Sequence, residues 1–271
     1  MPAVTDVNPR AALALLDPIR AVAASRDSNG ASSALTLGAA GQFTHDGREH
    51  EIPRLTFTGP KAGHDPIRLG LFAGIHGDEP AGCAALVQLA VALAAEPARA
   101  AGYELLIYPV INPTGYERGT RENYLGKDLN REFWRRSSAP EVRMIEAELR
   151  AHRFAGLITL HADDTCEGVY GYAHGRTLNE SLLKPALRAA SRFLPLDTRA
   201  MIDGFAAREG LIDECFQCVL SAPPEQHPQP FDLIFETPAN VSFDLQVSAA
   251  VAALEAIIAT YPGFISYAQD L

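Results

Sequence analysis

Four short stretches of the chain hold side chains that together could run a hydrolysis at a metal ion. They are His76-Gly77-Asp78-Glu79, the run from Arg121 to Arg131, His161 and Glu236. A catalytic zinc ion takes three protein ligands from the His, Glu and Asp set and leaves a fourth position open for water. It also needs a carboxylate outside the ligand set to take that water's proton. His76, Glu79 and His161 can supply the ligands, and Glu236 the base. Arg121 and Arg131 add fixed positive charge where an amide substrate develops an oxyanion or carries a carboxylate. The set implies zinc-dependent cleavage of an amide bond.

Each residue has a plainer explanation when taken alone. A His and a Glu three apart occur often on ordinary surfaces. His161 could be a satisfied histidine at a strand end, and Glu236, next to Thr237-Pro238, a turn carboxylate. Asn130-Arg131 could be a solvated turn. Their order and spacing along one chain are what raise them together.

Such residues act only if the fold gathers them. The chain reads as alternating strands and helices. A helix at roughly 9–25 precedes a hairpin-like region in which Leu35-Thr36-Leu37, Phe43-Thr44 and Ile52 to Thr58 alternate apolar with polar and Asp46-Gly47 signals a turn. Strands follow at Ile67 to Ala73, Tyr103 to Val110, Phe154 to Leu160, Val169 to Ala173 and Phe231 to Phe235. Helices are expected from Pro80 to Ala95, Glu141 to Arg153, Leu178 to Phe193 (where Pro185 fits poorly) and Phe243 to Thr260. Asn112-Pro113-Thr114-Gly115 reads as a turn. The pattern predicts an α/β fold: a mixed, mostly parallel sheet flanked by helices on both faces. No repeat or linker divides it, so one domain over 1–271 is expected, with the helix and hairpin of 1–60 packed on it. His76, Asn112, His161 and Glu236 each follow a predicted strand, and in open α/β sheets ligands gather beyond the carboxyl ends of strands.

Composition narrows the function classes. The 271 residues are 47% hydrophobic, enough for a substantial core, and 23 Lys and Arg against 33 Asp and Glu give a net charge of −10. That balance disfavours nucleic acid or an anionic membrane as a partner bound through bulk charge. No apolar run reaches the roughly 18 residues that span a bilayer. Cys83, Cys166, Cys215 and Cys218 form no paired framework, and Cys215-Phe216-Gln217-Cys218 lacks the context of a redox motif. Without a secretory pattern at Met1, a reducing, cytoplasmic setting is expected.

These motifs resemble the zinc metallocarboxypeptidase superfamily, the carboxypeptidase A-like fold shared with the succinylglutamate desuccinylase/aspartoacylase group. The residues that carry the resemblance begin with His76-Gly77-Asp78-Glu79, Asn112-Pro113-Thr114-Gly115 and Arg121-Glu122-Asn123-Tyr124-Leu125-Gly126-Lys127-Asp128-Leu129-Asn130-Arg131. Leu160-His161 and Phe235-Glu236-Thr237 follow in the family's order. The resemblance implies one Zn2+ per chain on His76, Glu79 and His161, with Glu236 as general base. It implies that Arg121 holds the oxyanion, and that Asn130 and Arg131 grip the free carboxylate of the residue released. Asp78 and Asp128 are candidates for orienting His76 or Arg131. Two departures stand out. No Tyr lies between Tyr172 and Tyr261, where the family carries a mobile one, and the third ligand is followed by Ala162-Asp163-Asp164 rather than a Ser-Tyr pair. Three readings follow: a peptidase acting on a small peptide, a deacylase acting on an N-acyl amino acid, and a non-catalytic binding protein on the same fold. The oligomeric state is left open.

Overall fold

The computed structural model describes residues 14–27 and 34–269. After a short turn of 3-10 helix come α1 (Asp17–Asp27), β1 (Leu35–His45), β2 (Arg48–Thr58), β3 (Ile67–Phe72), α2 (Pro80–Ala95) and β4 (Tyr103–Tyr108). The middle of the chain supplies α3 (Pro113–Arg118), α4 (Pro140–Ala151), β5 (Gly156–Asp163), β6 (Tyr170–Ala173), α5 (Arg176–Leu178) and α6 (Lys184–Ala190). Then follow β7 (Met201–Ile202), β8 (Phe205–Ala206), β9 (Leu211–Ile212), β10 (Phe231–Pro238) and α7 (Phe243–Gln269). Eight strands form one sheet in the order β1-β2-β4-β3-β5-β10-β6-β9. The run β4-β3-β5-β10 is parallel, while β1, β2 and β6 join antiparallel. This is the mixed, mostly parallel α/β sheet that the sequence predicts.

Side chains alternate across a strand, and residues paired in register share a face. Leu71, Ile107, Ile158, Leu233 and Phe235 therefore pack with α2, α6 and α7 in the larger core. Phe72, Leu106, Tyr108 and Leu157 point the other way and meet Val142, Ile145 and Leu149 of α4. Each such side chain, fully buried, contributes about 1.5–3 kcal/mol. Farther along this second face, β5, β10 and β6 present Thr159, His161, Asp232, Ile234, Glu236, Tyr170 and Tyr172. Loops cover that half, and two hollows lie there.

Several elements differ from expectation for local reasons. The helix expected at 9–25 is present from residue 14, and its earlier part lies outside the described residues. The expected turn at 112–115 is the start of α3, because the Asn112 side chain accepts from the Gly115 N–H at 2.8 Å and caps it. The segment expected as one helix from Leu178 is broken by a π turn at Asn179–Leu183, which lets Pro185 fall in the first turn of α6. Helix α7 runs past Thr260 and through Pro262. By length and composition its Phe243–Ile265 stretch could cross a bilayer, with a mean hydropathy of 1.5. Ala250, Leu254 and Ile257 of this helix are buried in the larger core.

Candidate metal centre

The loop between β3 and α2 presents His76 and Glu79. It can do so because Gly77 lies against the first turn of α3, where a Cβ would sit 1.9 Å from the Gly115 carbonyl carbon. Gly115 is equally confined, since its own Cβ would meet Asn112 Nδ2 at 2.4 Å. Asn112 converges on the site as expected, but its side chain serves backbone. Its Nδ2 donates to the Ile75 and Arg121 carbonyls, each at 3.3 Å, joining the His76 loop to the arginine segment.

Three buried residues then meet. His76 Nδ1 is 2.6 Å from Glu79 Oε1, and His161 Nδ1 is 2.9 Å from Oε2. The Ala162 N–H also donates to Oε2 at 3.1 Å. One donor atom from each of His76, Glu79 and His161 lies within 4.8 Å of the others. Ligand atoms around a tetrahedral zinc are about 3.3 Å apart, so small movements would fit an ion to this set. The far ring nitrogens are held as well, by Asp128 Oδ1 at 3.1 Å from His76 Nε2 and by Asn130 Nδ2 at 3.3 Å from His161 Nε2. Outer partners of this kind fix imidazole orientation at metal sites.

Charge follows the same geometry. Burial alone would lower the His76 imidazolium, but its hydrogen bonds to the Asp128 and Glu79 carboxylates hold it up at about 9. Burial works against the Glu79 carboxylate, yet the two histidines outweigh it and hold it down at about 2. Asp128 is kept well below the usual range by His76 and Arg121, against burial. Glu236 is pushed well above it, by burial first and then by the Glu79, Asp163 and Asp203 carboxylates.

The two arginines are held differently. Arg121 donates from Nε and Nη2 to Asp128 Oδ2 at 3.1 and 3.0 Å, and its Nη1 is 3.6 Å from Glu79 Oε1. Arg131 donates to the Asn130 carbonyl at 2.8 Å and stacks with its Cζ 4.5 Å from the Phe216 ring centre. It has no ion pair among the described residues, since Asp128 is taken by Arg121 and Glu132 by Lys127 at 2.7 Å. Asn130 is already engaged at both ends, with Oδ1 accepting from the Leu220 N–H at 3.0 Å. Glu236 stands on β10 in register with His161 on one side and Tyr170 on the other.

His76, Glu79, Arg121, Asn130, Arg131, His161 and Glu236, but not Asp128, line one cleft of about 420 Å³, together with Asp78, Asp163, Asp164, Tyr170, Tyr172, Asp203 and Phe216. Asp128 orients His76 and Arg121 from behind, not Arg131. The tyrosines were missed by motif reading. Tyr170 donates to Asp163 at 3.0 Å and Tyr172 to Asp203 at 2.9 Å. Their alternation, Tyr170-Gly171-Tyr172, is the one sequence signal that both share a sheet face. Cys166 turns away into a small apolar cluster beside them, where burial and the Asp163 and Glu236 carboxylates push its thiol up to about 12.

Residues 66–170, which carry every site residue named above from His76 to Tyr170, match the model of the succinylglutamate desuccinylase/aspartoacylase catalytic domain. The solved structure of a proposed metallopeptidase from Shewanella denitrificans OS217 superposes with a TM-score of 0.71 at 25% identity, over 90% of this chain and 90% of that one. A second proposed metallopeptidase, from Shewanella amazonensis SB2B, gives 0.73 at 24% identity over 90% and 93%. A metallo-carboxypeptidase from Burkholderia cenocepacia shares the fold, with a TM-score of 0.65 at 18% identity over 89% and 68%. Comparison with curated protein sequences gives no match. In its fold and in this matched segment, the chain is similar to the zinc carboxypeptidase-like superfamily.

Proposed function

We propose that the protein is a zinc-dependent amide hydrolase of the metallocarboxypeptidase type, releasing a residue with a free carboxylate from a small peptide. One observation carries this reading. The His76, Glu79 and His161 donors share a cleft with an Arg131 fork that no carboxylate among the described residues occupies. A zinc ion held by those donors would supply Lewis acidity and ease deprotonation of a water. Glu236 takes the proton of the attacking water and delivers it to the departing amide nitrogen. Arg121, fixed by Asp128, faces the oxygen on which negative charge grows. Arg131 grips the substrate carboxylate with both branches of its fork. Asn130 joins His161 to the Leu220 backbone beside that fork, so its contribution to carboxylate binding comes with one of those bonds exchanged.

A second reading, an N-acyl amino acid deacylase, is favoured by the match of residues 66–170 and uses the same residues. The test is a screen of dipeptides, γ-glutamyl peptides and N-acyl amino acids with zinc-loaded protein, alongside metal analysis. Cleavage of peptides supports the first reading, and cleavage of N-acyl amino acids alone supports the second. Protein that resists zinc loading, or that is loaded and cleaves none of them, overturns both. A reducing, cytoplasmic setting belongs to this proposal, since all four cysteines are free thiols. Labelling after unfolding without reductant should count four.

A further inference from the structure

Helix α4 begins with a carboxylate that takes no part in the proposed reaction. Glu141 lies in its first turn and is wholly buried. A first-turn Glu is favoured by the helix dipole and ordinarily stays in water. Burying it is costly unless its oxygens are bonded. Here one side chain supplies those bonds. Asn123, itself buried, donates from Nδ2 to Glu141 Oε1 and Oε2 at 3.2 and 3.1 Å. Burial pushes the Glu141 carboxyl up, opposed by its own backbone N–H and by Asn123.

The remaining groups of Asn123 serve the loop that leads from Arg121 to Asp128. Its N–H donates to the Lys127 carbonyl at 3.1 Å, and its Oδ1 accepts from the Leu125 and Lys127 N–H groups at 2.9 and 3.2 Å. Its carbonyl accepts from the Gly126 N–H at 2.9 Å, where Gly126 makes the turn at a φ of 68°. Asn123 and Lys127 thus close the neck of a short loop. Arg121 stands two residues before the neck and Asp128 one after it, and their side chains bond to each other. Tyr124 also leans on His45, with ring centres 4.1 Å apart, but Asn123 is the residue that bonds both sides of the neck.

We propose that Glu141 is a positioning residue for Arg121. It locks the Asn123 amide, Asn123 locks the neck, and the neck presents Arg121 and Asp128 to the metal cleft. Helix α4 is a firm anchor, because Val142, Ile145 and Leu149 are buried in the core. Glu141 does not line the cleft, so its influence on the reaction passes through Arg121. The inference rests on the role given to Arg121 under the proposed function, while the clamp itself can be tested without turnover.

The first measurement is amide hydrogen exchange on the wild-type chain and Glu141→Gln, which sets an NH2 group against the Asn123 amide. The Leu125, Gly126 and Lys127 amides should be protected in wild type. In the variant they should exchange about tenfold faster or more, with Ile145 and Leu149 of α4 unchanged. The second is kinetics with zinc-loaded protein. Misplacing a group that acts on the transition state should lower kcat by about tenfold to a hundredfold and leave KM alone. A cycle with Arg121→Ala separates positioning from general damage, since Glu141→Gln should cost nothing further once Arg121 is absent. Asn123→Ala repeats both measurements if Glu141→Gln misfolds. Loop amides unprotected in wild type or unmoved in the variants, or a kcat loss that adds in full to that of Arg121→Ala, overturns the proposal. If zinc-loaded wild type cleaves nothing, the proposed function has failed and exchange decides the clamp. Loosening confined to 123–127 upholds it, and unchanged or global exchange overturns it.

Discussion

The metal cleft and the cavity beside it use the same strands, β5, β6 and β10, yet treat buried charge in opposite ways. In the donor cluster, His76, Glu79, His161, Asp128 and Asn130 each hold at least two partners. A network satisfied in this way is rigid before any substrate arrives. In the cavity, Asp232 keeps one oxygen without a partner. The first region is organised by the protein itself, whereas in the second one carboxylate oxygen is left without a partner. In the first region the geometry is fixed in advance, and in the second a buried carboxylate oxygen is left uncompensated at a cost in stability.

Glu236→Gln should have the largest effect, because it removes the proton acceptor and leaves the donor cluster intact. Turnover should fall by about 10²–10⁴-fold with metal content unchanged. Near-normal turnover in a variant that holds its metal would remove Glu236 from the mechanism and separate β10 from the catalytic half of the comparison.

Asp232→Asn acts on the other half, and its effect is on stability. The Asp232 carboxyl is raised from 3.8 to about 7 in the folded protein. Between these values the folded chain keeps a proton that the unfolded chain has lost, so stability falls as pH rises through that window. The loss amounts to about 4 kcal/mol at most, and it is complete above pH 7. Denaturant melts should find the variant gaining on wild type from about pH 4 to 8, with no growing gap if Asp232 ionises normally.

Arg131→Lys keeps the charge but not the fork. It should cost about 1.5–3 kcal/mol in kcat/KM on free-acid substrates and little on their amides. Equal losses on both would mean that Arg131 does not read the carboxylate. Gly77→Ala forces a Cβ towards the Gly115 carbonyl carbon, 1.9 Å away, and should destabilise the protein by about 1–3 kcal/mol while weakening zinc retention. A variant with wild-type melting and metal content would show that the loop is less rigid than its packing requires.

Part of the candidate site's geometry was legible because short-range rules fix it. His76 and Glu79 are three apart on a loop closed by Pro80, the hairpin turns at Asp46-Gly47, and β3, β4 and β5 follow apolar runs close to those expected. The sequence alone determined an α/β sheet with His76, Asn112, His161 and Glu236 near the carboxyl ends of its strands, and offered Arg121 and Arg131 as candidates for the same site. Only the tertiary structure decided which partners those groups take. Asp128 binds His76 and Arg121, Asn130 holds His161, and Arg131 stacks over Phe216 with no ion pair among the described residues. It also decided that Asp232, an ordinary strand residue by sequence, faces a cavity beside the cleft. The reason is the register of β10 between β5 and β6. A slip of one residue would turn Asp232 and Glu236 into the opposite core. That register is set by contacts between segments far apart in the chain, where no local spacing records it.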